Sequence, residues 1–566
     1  MNENNNNAES NKSPLGDLGV YALGGWRGIR FLFLFFLLLN TSLAWGKVFY
    51  VAPDGTDSNL QGTIENPFES IKKAQIYANA GDTVYIRGGN YQMRMDQIAQ
   101  YNDIWAYVTV LDKSGSEGKM INYWAYPEET PVFDYSAIKP AEKRIFAFYL
   151  TGSYIHIKGI EVVGVQVTIT GHTQSECFEI KGSNNILEQI SMHDGMAIGV
   201  YILRGSNNLI LNCDAYRNYD SVSENGVGGN TDGFGCHAPT GHKNNIFRGC
   251  RAWLNSDDGY DCISSGEPVL FDHCWAFYNG YSGNFISRGD GNGFKAGGYG
   301  STALDRLPNP IPSNTVQFCL SVRNKQSGFY SNHHLTGSKW YNNTAYLNKR
   351  NFNMLNREGP TANGYLKDVP GWGHTLKNNL GLGATYQELT DIDTAACDLT
   401  ANYFDLDVVV TKDDFLSLDQ SLLTAPREAD GSLPVNDFMR LAPNSDLINR
   451  GINIGFQFKG LFPDLGCFES DDNTAVDEPR NRYISLNVFP NPFNAKTEIV
   501  FNMSQQGHGN LSLYNLSGKQ VKMIVDQDFE SGTHTFSLNR TGLNTGMYFL
   551  VARLGNTLQT QKLVVN

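Results

Sequence analysis

Charge is scarce in this chain. Asp, Glu, Lys and Arg make up 18% of its 566 residues, against about 25% in an average globular protein. Basic residues are scarcer than acidic ones, 44 against 57, and the formal net charge is −13. A nucleic-acid binder needs a basic face, so that class is excluded. Cysteine is sparse and unpatterned: nine are spread along the chain with no CxxC pair, which argues against a zinc site and a disulfide framework. Long hydrophobic runs are missing too. Phe31–Leu39 gives nine apolar residues, under half of the ~20 that a membrane-spanning helix needs. Glycine, by contrast, is abundant at 58 residues, and asparagine is comparably frequent. Both are poor helix formers and good turn formers. With 41% apolar content for a core, the composition suits many short strands and turns, and the length suits more than one domain.

The two ends read as export signals. Arg27 and Arg30 precede Phe31–Leu39, and Ala44-Trp45-Gly46 follows, the pattern of a signal peptide over residues 1–46. The competing reading is a buried strand. Residues 470–484 are polar and linker-like, and residues 485–566 alternate like a small β-sandwich. The elements Pro490-Asn491-Pro492, Asn515-Leu516-Ser517-Gly518-Lys519 and Gly546–Val551 resemble the C-terminal sorting domain of the type IX secretion system. That resemblance implies contact with the secretion machinery and a secreted or cell-surface protein. An ordinary carbohydrate-binding sandwich is the alternative.

The middle repeats. Asn185–Ile190, Asn208–Cys213, Asn245–Cys250, Val269–Cys274, Asn314–Cys319 and Ser338–Asn343 align, with steps of 23, 37, 24, 45 and 24 residues. Five places after five of these segments stands Asn218, Asn255, Asn279, Asn324 or Asn348. Short strands at a fixed period without intervening helices predict a parallel β-helix over residues 47–469. Cys213, Cys250, Cys274 and Cys319 then form a core column, and the asparagines satisfy one another along a ladder. A strand at Val48–Val51 and a capping helix near Phe68–Ala80 are expected at its start.

A second strand of each turn aligns on Phe234, Tyr260, Phe294, Phe329 and Phe352, an inward aromatic column. The next position alternates outward and reads Gly235, Asp261, Lys295, Tyr330 and Asn353. Two places before the aromatic stand Asp232, Asp258, Asn292, Ser327 and Arg350. Asp232, Asp257, Asp258 and Asp261 therefore crowd into two adjacent turns, with Lys295 one turn away. Four close carboxylates repel unless a cation neutralises them, and an all-oxygen set suits Ca²⁺. The competing reading is turn chemistry at Asp-Gly pairs.

The runs Asn255–Asp261 and Arg288–Gly298, with Asp232-Gly233-Phe234, resemble polysaccharide lyase family 9, whose members are mostly pectate lyases on right-handed parallel β-helices. The resemblance implies that Asp232, Asp257, Asp258 and Asp261 bind Ca²⁺ and that Lys295 is the Brønsted base of a β-elimination on a uronic-acid polymer, pectate or polygalacturonate first. Calcium near the lysine would lower its pKa towards working pH. Arg288, Arg323, Lys325 and Arg350 are candidate binders of substrate carboxylates. His333-His334 reads as plain surface. A monomer is expected. The competing functions are a β-helical adhesin, which needs neither acids nor lysine, and a polygalacturonase-type hydrolase, which needs a carboxylate pair alone. The central region carries the whole −13, and residues 388–419 hold nine acids and one lysine, a run expected to lie away from the cleft.

Overall fold

The computed structural model describes residues 46–300, 302–359, 367–470, 484–503, 506–515, 519–554 and 557–566. The signal peptide, apart from Gly46, and the linker, apart from its end residues, lie outside them.

Three parallel sheets wind about one core. The first holds twelve strands, from Val48–Val51 to Asp398–Thr400. The second holds ten, from Gly89–Gln92 to Leu380–Leu382. The third holds eleven, from Gln100–Asn102 to Gln387–Thr390, and only its first pairing is antiparallel. Successive turns stack one strand spacing apart, about 4.8 Å, which is the expected β-helix. The helix at its start is Ile71–Tyr77 rather than Phe68–Ala80. Phe68 is taken by a bridge to Val51, Ser70 caps the helix by accepting the Lys73 N–H, and Ala78 turns extended. Ile71 and Ala74 bury into the solenoid core.

Equivalent residues form columns. Ring centroids from Phe234 through Tyr260, Phe294 and Phe329 to Phe352 step by 5.1, 4.6, 5.2 and 5.0 Å, nearly parallel. Cys213, Cys250, Cys274 and Cys319 are fully buried, and their thiols donate to backbone carbonyls of the preceding turn. The asparagine ladder is continuous. Oδ1 of Asn279, Asn324 and Asn348 accepts the N–H of Asn255, Asn279 and Asn324 at 3.2, 3.0 and 2.9 Å. Each Nδ2 donates to a carbonyl of the turn before. These buried corners thus pair the backbone groups that a turn would otherwise leave orphaned. The residue before each ladder asparagine (Arg217, Leu254, Tyr278, Arg323 and Leu347) has φ between 48 and 60°, a left-handed conformation uncommon outside glycine.

The longer steps come from loops at the borders of the third sheet. Residues 219–231 and 280–291 lie where the chain enters it, and 302–313 where it leaves. Residues 401–470 form no strand and run as a strap along the second sheet. Phe415, Leu423, Phe438, Leu441 and Leu465 bury against Trp253, Trp275, Phe277 and Leu320. The acidic run 388–419 is not wholly remote from the cleft face, because its first residues lie in the last strand of the third sheet, Gln387–Thr390. Residues 484–566 form a three-stranded and a four-stranded antiparallel sheet around their own core of Ile499, Phe501, Leu511, Leu513, Leu550 and Leu563. No helix among the described residues is long and apolar enough to cross a membrane.

Candidate active site

The acids and the lysine lie on the outer face of the third sheet. Its relevant strands are β1 (Phe234–Cys236), β2 (Tyr260–Asp261), β3 (Phe294–Lys295), β4 (Ser327–Tyr330) and β5 (Arg350–Asn353). All four pairings are parallel. Their register sets Gly235, Asp261, Lys295, Tyr330 and Asn353 side by side, as the repeat requires.

One oxygen of each carboxylate is held by the backbone. Asp232 Oδ1 accepts the Asp258 N–H at 3.0 Å, Asp258 Oδ1 the Asn292 N–H at 2.6 Å, and Asp261 Oδ1 the Ile263 N–H at 2.7 Å. Asn292 adds its Nδ2–H to Asp258 at 2.9 Å and passes the ladder on by accepting the Ser327 N–H. That bracing leaves second oxygens to converge. Asp232, Asp258 and Asp261 each offer an oxygen within 4.8 Å of the others, and all three are buried. Lys295 Nζ lies 3.0 Å from both Asp258 Oδ2 and Asp261 Oδ2. Asp258 Oδ2 is fully buried, and the Lys295 ammonium is its partner.

Asp257 does not join the trio. Its Oδ1 accepts the Asp290 N–H at 2.8 Å and so braces the loop 280–291. Its charge still reaches the trio, since it helps raise the Asp232 carboxyl.

Three buried carboxylates share one ammonium, and the electrostatics show the excess. Burial, then the charges of Asp257, Asp261 and Asp258, push the Asp232 carboxyl well above its usual range. Asp258 is raised by burial although Lys295 opposes it. Burial alone would lower the Lys295 pKa, but Asp258, Asp261, Asp257 and Asp232 outweigh it and hold the amine well above the ordinary lysine range. Lys295 thus forms ion pairs with Asp258 and Asp261. A convergent all-oxygen donor set with surplus negative charge fits a hard cation better than zinc, which favours His and Cys.

The arginines spread around this centre. The Arg288 guanidinium stacks 3.9 Å above the Tyr219 ring, with a buried Nε that makes no hydrogen bond. Arg350 stands three turns beyond Asp258 in the same outer column, over Tyr386 at 4.9 Å, again with an unpartnered buried Nε. Arg323 sits at a corner, 4.2 Å from the Phe285 ring. Lys325 is a strut: its Nζ donates to the carbonyls of Arg288 and Gly289. Loops 219–231 and 280–291 pack together so closely that a Cβ on Gly289 would meet Gly228 O at 2.6 Å and Ser256 O at 2.7 Å.

His334 corrects the expectation of a surface pair. It is buried, accepts the Gly298 N–H at Nδ1, and bonds Pro312 O through Nε2. Burial lowers its pKa to about 4. Two nearby residues escaped the sequence reading. Asn292 is an amide that supports an acid, and His237 packs against Tyr201 at 4.6 Å with a buried, unpartnered Nε2 over the bare Gly235. The empty glycine position in an otherwise bulky column was the available signal for the histidine.

Residues 49–378 match the family of Pel9A-like right-handed β-helix regions, and residues 487–566 match the secretion system C-terminal sorting domain. Pectate lyase L of Dickeya chrysanthemi is 34% identical over 439 residues, covering 76% of this chain and 92% of that protein. A solved rhamnogalacturonan lyase superposes with a TM-score of 0.68 at 45% identity, covering 70% of this chain and 97% of that one. The crystal structure of pectate lyase Pel9A gives 0.60 at 32%, covering 76% and 98%. The chain belongs to the Pel9A-like right-handed parallel β-helix family, and is a pectate lyase-like polysaccharide lyase of the cell exterior or surface with a C-terminal sorting domain.

Proposed function

We propose that this enzyme cleaves polygalacturonate by β-elimination, with Lys295 as the base and Ca²⁺ held by Asp232, Asp258 and Asp261, Asp257 completing the acidic shell. The observation that carries the reading is the Lys295 amine lying 3.0 Å from two buried carboxylates of the preceding rung. The hard step is removal of H5, a carbon acid α to the C6 carboxylate, followed by departure of O4 and formation of the 4,5-double bond. Bound Ca²⁺ supplies a Lewis acid that stabilises the enolate-like charge. The chain's own part is to hold the amine and the acids rigid, which the backbone bonds to each Oδ1 and the ladder through Asn292 accomplish. Lys295 can accept a proton only after losing its own, so the carboxylates that keep it charged must first be engaged elsewhere. A hydrolase would need two carboxylates placed as acid and base, with no lysine between them.

The 45% identity to a rhamnogalacturonan lyase favours a second reading, in which uronate residues alternate with neutral sugar. One assay tests both. Ultraviolet absorbance of the unsaturated product is followed on polygalacturonate and on rhamnogalacturonan, with calcium and with chelator. Elimination that vanishes with chelator and with Lys295→Ala is expected. Full activity of Lys295→Ala would remove the base assignment, and chelator-insensitive activity would remove the metal.

A further inference from the structure

Beyond Lys295 the outer column continues with Tyr330, one rung on. Beside Tyr330 stands a short antiparallel hairpin, β6 (Asn356–Glu358) with β7 (Lys367–Val369), to which the elimination reading gives no part. Its root is fixed to the solenoid, because the Arg357 N–H donates to His334 O at 3.0 Å. Across the hairpin, Asp368 Oδ1 accepts from Arg357 Nε at 2.8 Å and pairs with His333 Nδ1 at 2.8 Å. The His333 ring in turn meets the Tyr330 ring edge-on, centroids 5.9 Å apart. A chain of contacts therefore leads from the rung beside the Lys295 amine to a guanidinium.

Arg357 is anchored but not saturated. One N–H goes to Asp368, and its two terminal nitrogens make no hydrogen bond among the described residues. The Tyr330 hydroxyl makes none either. The Arg357 side chain is only 22% exposed, so it is oriented rather than waving in solvent. A planar guanidinium fixed along one edge presents its other donors as a fork for a carboxylate. In the opposite direction the outer face carries Glu176 and Glu179, both buried, two rungs before Asp232 and Gly235, and Glu179 is already paired with Lys181 at 2.9 Å.

We propose that Arg357, oriented by Asp368 and flanked by the Tyr330 hydroxyl, binds the carboxylate of a uronate residue neighbouring the one that is cleaved, and so sets the register of the acidic chain over Lys295. The subsite rests on the elimination reading above. One rung, about 4.8 Å, is comparable to the length of one sugar ring, so neighbouring uronates can address neighbouring rungs. Asp368 is a positioning residue and Arg357 a binding one.

The test uses the full chain. Arg357→Ala should raise KM for polygalacturonate roughly 10-fold, as loss of a charge-assisted pair predicts, with kcat within about twofold. Arg357→Lys should recover part of the loss, and Asp368→Asn should raise KM by a smaller factor. In a Lys295→Ala background, calorimetric affinity for saturated galacturonate oligomers should fall by the same factor when Arg357→Ala is added. Arg357→Gln, which keeps the bulk, replaces the alanine variant if that one fails to fold. Unchanged KM and unchanged oligomer affinity overturn the subsite while elimination by the wild type still stands. A fall in kcat at constant KM also overturns it. Absence of elimination by the wild type on both polymers overturns the parent reading, and the subsite with it.

Discussion

Removing the Lys295 amine would leave Asp232, Asp258 and Asp261 buried with no counter-charge. Breaking such a buried set by deleting one partner is strongly destabilising, on the order of 3–5 kcal/mol. In chelator, Lys295→Ala should therefore melt well below the wild type, and added calcium should close most of the gap by binding the folded state. Scanning calorimetry of both proteins with and without calcium checks this. Equal melting of the two proteins in chelator would show that the lysine is no counter-ion. At this scale the sequence was informative because the glycine–aromatic pair recurs in four of the five aligned turns and marks which side chain faces out. It did not show that Asp257 also braces the loop 280–291 through the Asp290 N–H. It was silent on Asn292, since an amide that braces an acid looks like any asparagine.

At the scale of elements, the strap 401–470 is pinned by one buried ionic knot. Asp214 on the second sheet accepts from Arg251 at 2.9 and 2.8 Å and from Arg427 of the strap at 2.6 Å. Burial alone would raise the Asp214 pKa, but hydrogen bonds from Arg251 and the charges of Arg427 and Arg251 outweigh it and hold the carboxyl below its usual value. Its stabilisation is therefore complete above the unfolded-state pKa, about 3.9, and is lost as pH falls through the folded one. Amide exchange in 401–470 should rise in acid below about pH 4, ahead of exchange in the aromatic column. Uniform protection down to global unfolding would contradict the pinning role. Asp214→Asn should cost roughly 3–5 kcal/mol in urea unfolding at neutral pH, because two buried guanidinium groups lose their anion. The strands and their register were legible from the periodic asparagines and aromatics. The corners were not: Arg217, Leu254, Tyr278, Arg323 and Leu347 are no turn formers, and stacking of the turns imposes their left-handed backbone. The strap was invisible because it follows no period.

The whole molecule is a stack whose turns touch mainly their neighbours, followed by a sandwich with a core of its own. The excess negative charge that looks ill-suited to an acidic substrate is partly internal, gathered in the buried carboxylates around Lys295. All nine cysteines are free thiols, eight of them buried and Cys397 partly exposed. A thiol reagent should label Cys397 alone in the native protein and all nine in denaturant, a count that mass spectrometry reads directly. Rapid labelling of the column Cys213–Cys319 in native buffer would mean that the solenoid opens locally. The column also bears on how this exported chain must mature. Its thiols are safe from oxidants only once the turns have closed over them, so folding outside the reducing cytoplasm is a race between winding the solenoid and mispairing of its sulfurs. A coil that winds turn upon turn seals each cysteine beneath the next rung, so the time each thiol stays open is set by the closing of one turn.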